Sequence, residues 1–165
     1  LIDTNIWFYV YGPQLPKDWK SNVYSRALAE MCSVGSEMII DVLIISEFIN
    51  RYSRYEFESQ KENIGINQFK EFRGSSHFME VINAIADTTR RILTQSIRIG
   101  SGFELLKEEA IISDYQKSAQ KHDFNDQILI ELCRTRNLVL ITHDSDFKNC
   151  GIKVLTANRK LLSSV

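Results

Sequence analysis

Hydrophobic residues in this chain alternate between short apolar runs and stripes at helical spacing. Leu1 and Ile2, ahead of Asp3, read as the end of a buried strand. From Thr4 to Tyr11, Trp7, Phe8 and Tyr11 recur at helix-compatible intervals. Gly12-Pro13 stops that segment, and Pro16 lies in the following loop. Residues 20–33 predict a second helix, with Tyr24, Ala27, Leu28 and Met31 on one face. Met38-Ile39-Ile40 reads as a second strand, and Asp41 is placed to cap a helix from about Val42 to Tyr55 that carries Glu47.

The stretch from about 54 to 121 is polar and helical in pattern. Phe78, Val81, Ile82, Ile85, Ile92 and Leu93 mark one amphipathic helix in it. Gly100-Ser101-Gly102 breaks the pattern, and a shorter helical piece is expected before Lys121. A further helix spans Asp126 to Arg136, with Ile128, Leu129, Leu132 and Cys133 on one face and Asn137 suited to its end. Leu138–Thr142 and Ile152–Leu155 read as the last strands. Strands and helices in this order predict an α/β sandwich around a mostly parallel sheet. Ligands of such sheets bind beyond the carboxyl ends of the strands, where Asp3 and Asp144 both fall.

With 165 residues, 44% of them hydrophobic, the chain fits one globular domain with a single core. It opens inside an apparent strand, so one or more natural N-terminal residues are expected to precede Leu1. The net charge of −1 gives no global basic field, so any nucleic-acid contact must come from local cations. Arg51, Arg54, Arg90, Arg91, Arg134, Arg136 and Lys148 are available for that, although solvated surface is the plainer reading. No membrane span or secretory signal is visible. Cys32, Cys133 and Cys150 lack metal-site spacing and read as free thiols of a cytoplasmic protein.

The acids carry the chemistry. Each has a plain structural reading when taken alone. Asp3 can cap the helix that follows it, and Glu47 can sit on a solvated face. Asp123 and Asp126 have N-cap and third-position spacing, and Asp144 and Asp146 suit a turn. Folded together, Asp3, Glu47, Asp126 and Asp144 would converge, and unpaired carboxylates at close quarters raise one another's pKa. A bound Mg²⁺ or Mn²⁺ removes that repulsion, and an all-oxygen donor set suits these ions better than Zn²⁺. His143, beside Asp144, reads as surface.

In order, these segments resemble a PIN-domain nuclease, the class that includes VapC-type toxins. The matching motifs are Asp3-Thr4-Asn5 after an apolar strand and Ser46-Glu47 on a helix. They continue with Asn125-Asp126-Gln127-Ile128 opening a helix, then Thr142-His143-Asp144-Ser145-Asp146-Phe147 after a strand. The resemblance implies a three-layer α/β sandwich in a single domain, 1–165, with a helical elaboration at about 54–121. It makes Asp3, Glu47, Asp126 and Asp144 the catalytic, metal-binding acids and Asp146 an auxiliary ligand. Thr4, Asn5 and Thr142 support them. It implies a Mg²⁺- or Mn²⁺-dependent ribonuclease acting on RNA, working as a homodimer and paired with an antitoxin protein. Helix 4–11 and the amphipathic helix 78–93 are the expected dimer or partner surfaces. The middle segment is longer than in compact members of the family.

Two other readings stay open. A haloacid-dehalogenase-like phosphatase needs Asp-x-Asp after the first strand, whereas Asp3 is followed by Thr4 and Asn5. A PIN-like fold without activity could serve as an RNA- or protein-binding scaffold.

Overall fold

A computed structural model describes residues 1–13, 18–100 and 122–163, with positions 102, 112, 113 and 116 among the remainder. Helix α1 (Thr4–Tyr11) is stopped at Gly12, where an added Cβ would lie 2.5 Å from the Phe8 carbonyl oxygen. Helix α2 (Trp19–Ser33) is capped by the Asp18 side chain. Strand β1 (Ile39–Ile40) leads into α3 (Val42–Ile64), capped by Asp41 as its sequence position predicts. Helix α3 runs well past Tyr55, because no residue breaks it before Gly65, whose φ of 68° supplies the left-handed stop. A short α4 (Phe69–Arg73) precedes α5 (Ser76–Thr94), the expected amphipathic helix. Strand β2 (Ile97–Arg98) follows, within a segment that reads as helical from sequence. After it come α6 (Phe124–Thr135), β3 (Val139–Ile141), a 3₁₀ turn (Ser145–Phe147), β4 (Lys153–Leu155) and α7 (Arg159–Leu162). The loop around Pro16 lies outside the described residues, as does the helical piece expected before Lys121 except at positions 112, 113 and 116, which are helical.

The strands form two small parallel pairs, β1 with β2 and β3 with β4. Residues 1–3 run between the pairs. Ile2 donates its N–H to the Ile39 carbonyl at 3.3 Å, and Asp3 donates to the Ile141 carbonyl at 3.0 Å. Ile2 and Ile141 form a parallel bridge. This hydrogen bonding fixes Asp3 beside Thr142, the residue that leaves β3.

Ile2, Ile6, Trp7, Ile40, Ile44, Phe48, Leu132 and Leu140 are fully buried and anchor the core. The aromatic α1 packs on α2 and α3. Trp7 has no exposed surface, and Phe8, Tyr9, Val10 and Tyr11 are half-buried against the core. Helix α5 turns Val81, Ile85 and Ile92 inward and packs on α3 and α4. Much of each face expected to meet a partner is therefore used within the chain. The three cysteines are free, Cys32 exposed and Cys133 and Cys150 buried. Among the described residues no helix is long and apolar enough to cross a membrane.

Candidate active site

The backbone that joins residues 1–3 to β3 sets the site. Asp3 stands at the N-cap position of α1 without capping it, and it is only 6% exposed. Its carboxylate turns toward the strand ends. Oδ2 accepts from Asn5 Nδ2 at 2.5 Å and from Thr142 Oγ1 at 2.5 Å. Asn5 Nδ2 also reaches Thr142 Oγ1 at 3.2 Å, and Asn5 Oδ1 accepts the His143 N–H at 3.1 Å. Thr142, fully buried, receives the Asp144 N–H on its Oγ1 at 3.0 Å. One hydroxyl thus ties Asp3, Asn5 and Asp144 together.

Thr4, also fully buried, donates to Glu47 Oε2 at 3.0 Å and so aims the Glu47 carboxylate from α3 toward the start of α1. Asp123 and Asp126 form a reciprocal capping box at the head of α6. Asp123 Oδ1 accepts the Asp126 N–H at 2.9 Å, and Asp126 Oδ2 accepts the Asp123 N–H at 3.3 Å. Asp144 caps the 3₁₀ turn by accepting the Asp146 N–H at 3.0 Å.

Electrostatics shows which acids face one another. Burial, followed by the charges of Glu47 and Asp144, pushes the Asp3 carboxyl up to about 6, against the opposing hydrogen bond from Thr142. Asp126 is pushed up to about 7 by burial and by Asp123, with Asp3 and Asp144 adding to it. Glu47 is raised by burial of its carboxyl and by Asp123 and Asp144, while the hydrogen bond from Thr4 and the nearby Arg51 pull it down. Asp3, Glu47, Asp126 and Asp144 therefore share one electrostatic neighbourhood. Asp123 belongs to it as well, a member the sequence reading treats first as a helix cap. Its capping-box spacing hides the second role. None of these shifts traces to Asp146, which meets the group through its backbone N–H to Asp144.

The donor set is all oxygen and mutually repulsive, which fits a hard divalent cation such as Mg²⁺ or Mn²⁺. Among the described residues, no three His, Cys, Asp or Glu side chains stand ready to hold an ion. Asp3 is instead held by Thr142, Glu47 by Thr4, Asp126 by Asp123 and Asp144 by the Asp146 N–H.

Most cations flagged from sequence already have partners within the chain. Arg51 lies over the Phe8 ring at 4.8 Å and Arg54 over Phe69 at 4.8 Å. Arg90 pairs with Asp87, and Arg134 pairs with Glu131 and donates to the Cys150 carbonyl. The cations that line a groove beside the acids are Arg159 and Lys160, on α7, where no motif pointed.

No curated protein and no solved structure matches the chain. A model of the PIN domain matches residues 1–153, nearly the whole length. PIN domains are generally nucleases and typically use divalent metals. This chain belongs to the PIN-domain family.

Proposed function

We propose that this protein is a Mg²⁺- or Mn²⁺-dependent endoribonuclease. The observation that carries the reading is Asp3. It is buried at a strand end, leaves the following helix uncapped, and is held up to about 6 in the company of Glu47 and Asp144. Burying a carboxylate among like charges is costly, and a function that needs concentrated negative charge accounts for it. Asp3, Glu47, Asp126 and Asp144 would hold the cation, with Asp146 auxiliary. When bound, the cation supplies the charge that neutralises these acids, orients a phosphodiester and activates water for in-line attack.

The chain's own groups do the positioning. Thr142 and Asn5 fix the Asp3 carboxylate, Thr4 fixes Glu47, and the capping box fixes the start of the helix that bears Asp126. The hydrogen bonds of residues 1–3 to both strand pairs support a single sheet within a three-layer sandwich, in one domain over 1–165. Elaboration at about 54–121 bears on substrate access. A cytoplasmic toxin working as a homodimer under an antitoxin is the setting that agrees with the family.

The test is cleavage of a structured RNA by wild type and by Asp3→Asn, with Mg²⁺, with Mn²⁺ and with EDTA. Cleavage that survives EDTA, or that persists in Asp3→Asn, overturns the reading. The absence of a ready three-acid set among the described residues favours one alternative, an inactive RNA- or protein-binding scaffold. Thermal stabilisation by Mg²⁺ without any cleavage would select it.

A further inference from the structure

The acid cluster has a neighbour of opposite character. A groove of about 600 Å³ is lined by Trp19, His143, Ala157, Asn158, Arg159 and Lys160. Trp19 opens α2 and is 53% exposed. Its indole is therefore not a core residue. It meets His143 edge-on, with ring centroids 5.7 Å apart at 68°.

His143 is pinned from several sides. Its Nδ1 lies 2.7 Å from the Tyr24 hydroxyl, and Tyr9 stands edge-on to the ring at 5.8 Å. Asn158 Nδ2 donates to the His143 carbonyl at 2.7 Å. The His143 N–H goes to Asn5, which also holds Asp3. The groove is thus tied to the acids through the backbone between Thr142 and Asp144.

Its charge is complementary to phosphate. Arg159 and Lys160 are exposed in its wall. Lys20 lies close by, over the Tyr9 ring at 5.0 Å. Asp18 is the opposing acid, and its carboxylate is engaged with the Lys20 N–H at 3.0 Å. A cluster of carboxylates repels a phosphate backbone, so a strand that reaches it needs attraction on an adjoining wall. An open aromatic face beside paired cations is how sequence-tolerant single-strand sites are built. A duplex keeps its base faces stacked inside and cannot offer them to an indole.

We propose that this groove is a nucleotide subsite for single-stranded RNA flanking the scissile phosphate. One base stacks on Trp19, and the neighbouring phosphates pair with Arg159 and Lys160. The assignment rests on the nuclease reading above for its substrate, and it adds the residues that hold the strand.

Binding tests it without cleavage. A labelled single-stranded oligoribonucleotide is titrated in EDTA, read by anisotropy and by tryptophan fluorescence. Trp7 is fully buried, so quenching on binding reports Trp19. Trp19→Ala should weaken binding about five-fold or more, the lower end for one stacked base. Trp19→Phe should recover most of the affinity, which a merely structural loss would not explain. The double variant Arg159→Glu, Lys160→Glu should weaken binding and flatten its salt dependence. Lys70→Glu, on α4, is the charge control and should bind as wild type. Unchanged affinity in both Trp19→Ala and the double variant, or no binding by wild type, overturns the subsite. RNA that is bound in this way yet never cut with Mg²⁺ or Mn²⁺ overturns the nuclease reading alone.

Discussion

Thr142 Oγ1 donates to Asp3 Oδ2 at 2.5 Å across 139 positions of sequence. The same oxygen accepts the Asp144 N–H at 3.0 Å. Thr142→Val keeps the side-chain shape and removes these two bonds and the one from Asn5 Nδ2 at 3.2 Å. The loss should cost about 1–3 kcal/mol, because buried polar groups lose partners. It also removes the hydrogen bond that holds the Asp3 pKa down, so the acid limb of the cleavage profile should move to higher pH. Urea unfolding and a pH–rate series check the two effects separately.

Asp3→Asn should abolish cleavage and leave the fold intact. The amide fills nearly the same space but carries no charge for a cation. Its removal from the cluster relieves Glu47 and Asp126, so the metal-free variant should unfold at the same or higher temperature than wild type. Loss of folded signal by circular dichroism would count against this account of Asp3.

Stability without metal should fall as pH rises. Asp3 and Asp126 titrate near 6 and 7 in the fold, against an ordinary value of 3.8. Between about 4 and 7 the folded state therefore holds more protons than the unfolded state, and the slope of stability against pH is negative there. His143 acts in the opposite sense. Burial, then Lys20, lowers its pKa below 6.5, so its contribution grows as pH rises toward that value. Subtracting the Asp3→Asn curve isolates the acid. Thermal melts in EDTA should be higher at about pH 5 than at about pH 8 once that comparison is made. Added Mg²⁺ should stabilise most at the alkaline end, where it no longer competes with protons.

Phe8→Ala should cost stability rather than RNA affinity. The ring meets Phe48, Tyr52 and Tyr55 edge-on, with centroids 6.2, 6.3 and 5.9 Å away. Arg51 lies over it at 4.8 Å. Truncation of a half-buried aromatic in such a cluster should cost about 2 kcal/mol. Chemical denaturation beside an RNA-binding titration checks it. A variant that keeps full stability while losing RNA binding would place Phe8 in the binding surface instead.

Much of this was legible in the sequence for local reasons. Gly12-Pro13, Asp41 and Asn137 are strong punctuation, and the elements they bound fall where expected. The α5 stripe was visible because its apolar positions keep a helical period. Strand β2 was not, because two residues leave no period to read, and it sits after a long helical stretch. Helix α3 outran its expected end because Arg54 to Asn63 is polar without a breaker. At the site, the motifs single out candidate acids, but the bonds from Thr4 to Glu47 and from Asn5 to Asp3 need the folded backbone. Asp123 looked complete as a cap, and only its influence on Glu47 and Asp126 reveals its second place. Trp19, Arg159 and Lys160 belong to no motif, and proximity to His143 is what distinguishes them.

The pairing of residues 1–3 with β3 also has a consequence for synthesis. Asp3 is made before its partners Thr142 and Asp144 and the neighbouring strand β4, which follow more than a hundred residues later. Long-range parallel pairing of this kind cannot begin until both segments exist. At the usual pace of about 5–20 residues per second, the 139 positions between Asp3 and Thr142 take roughly 7–28 seconds to make. The acid group of the proposed site is therefore incomplete until the last strands have been made.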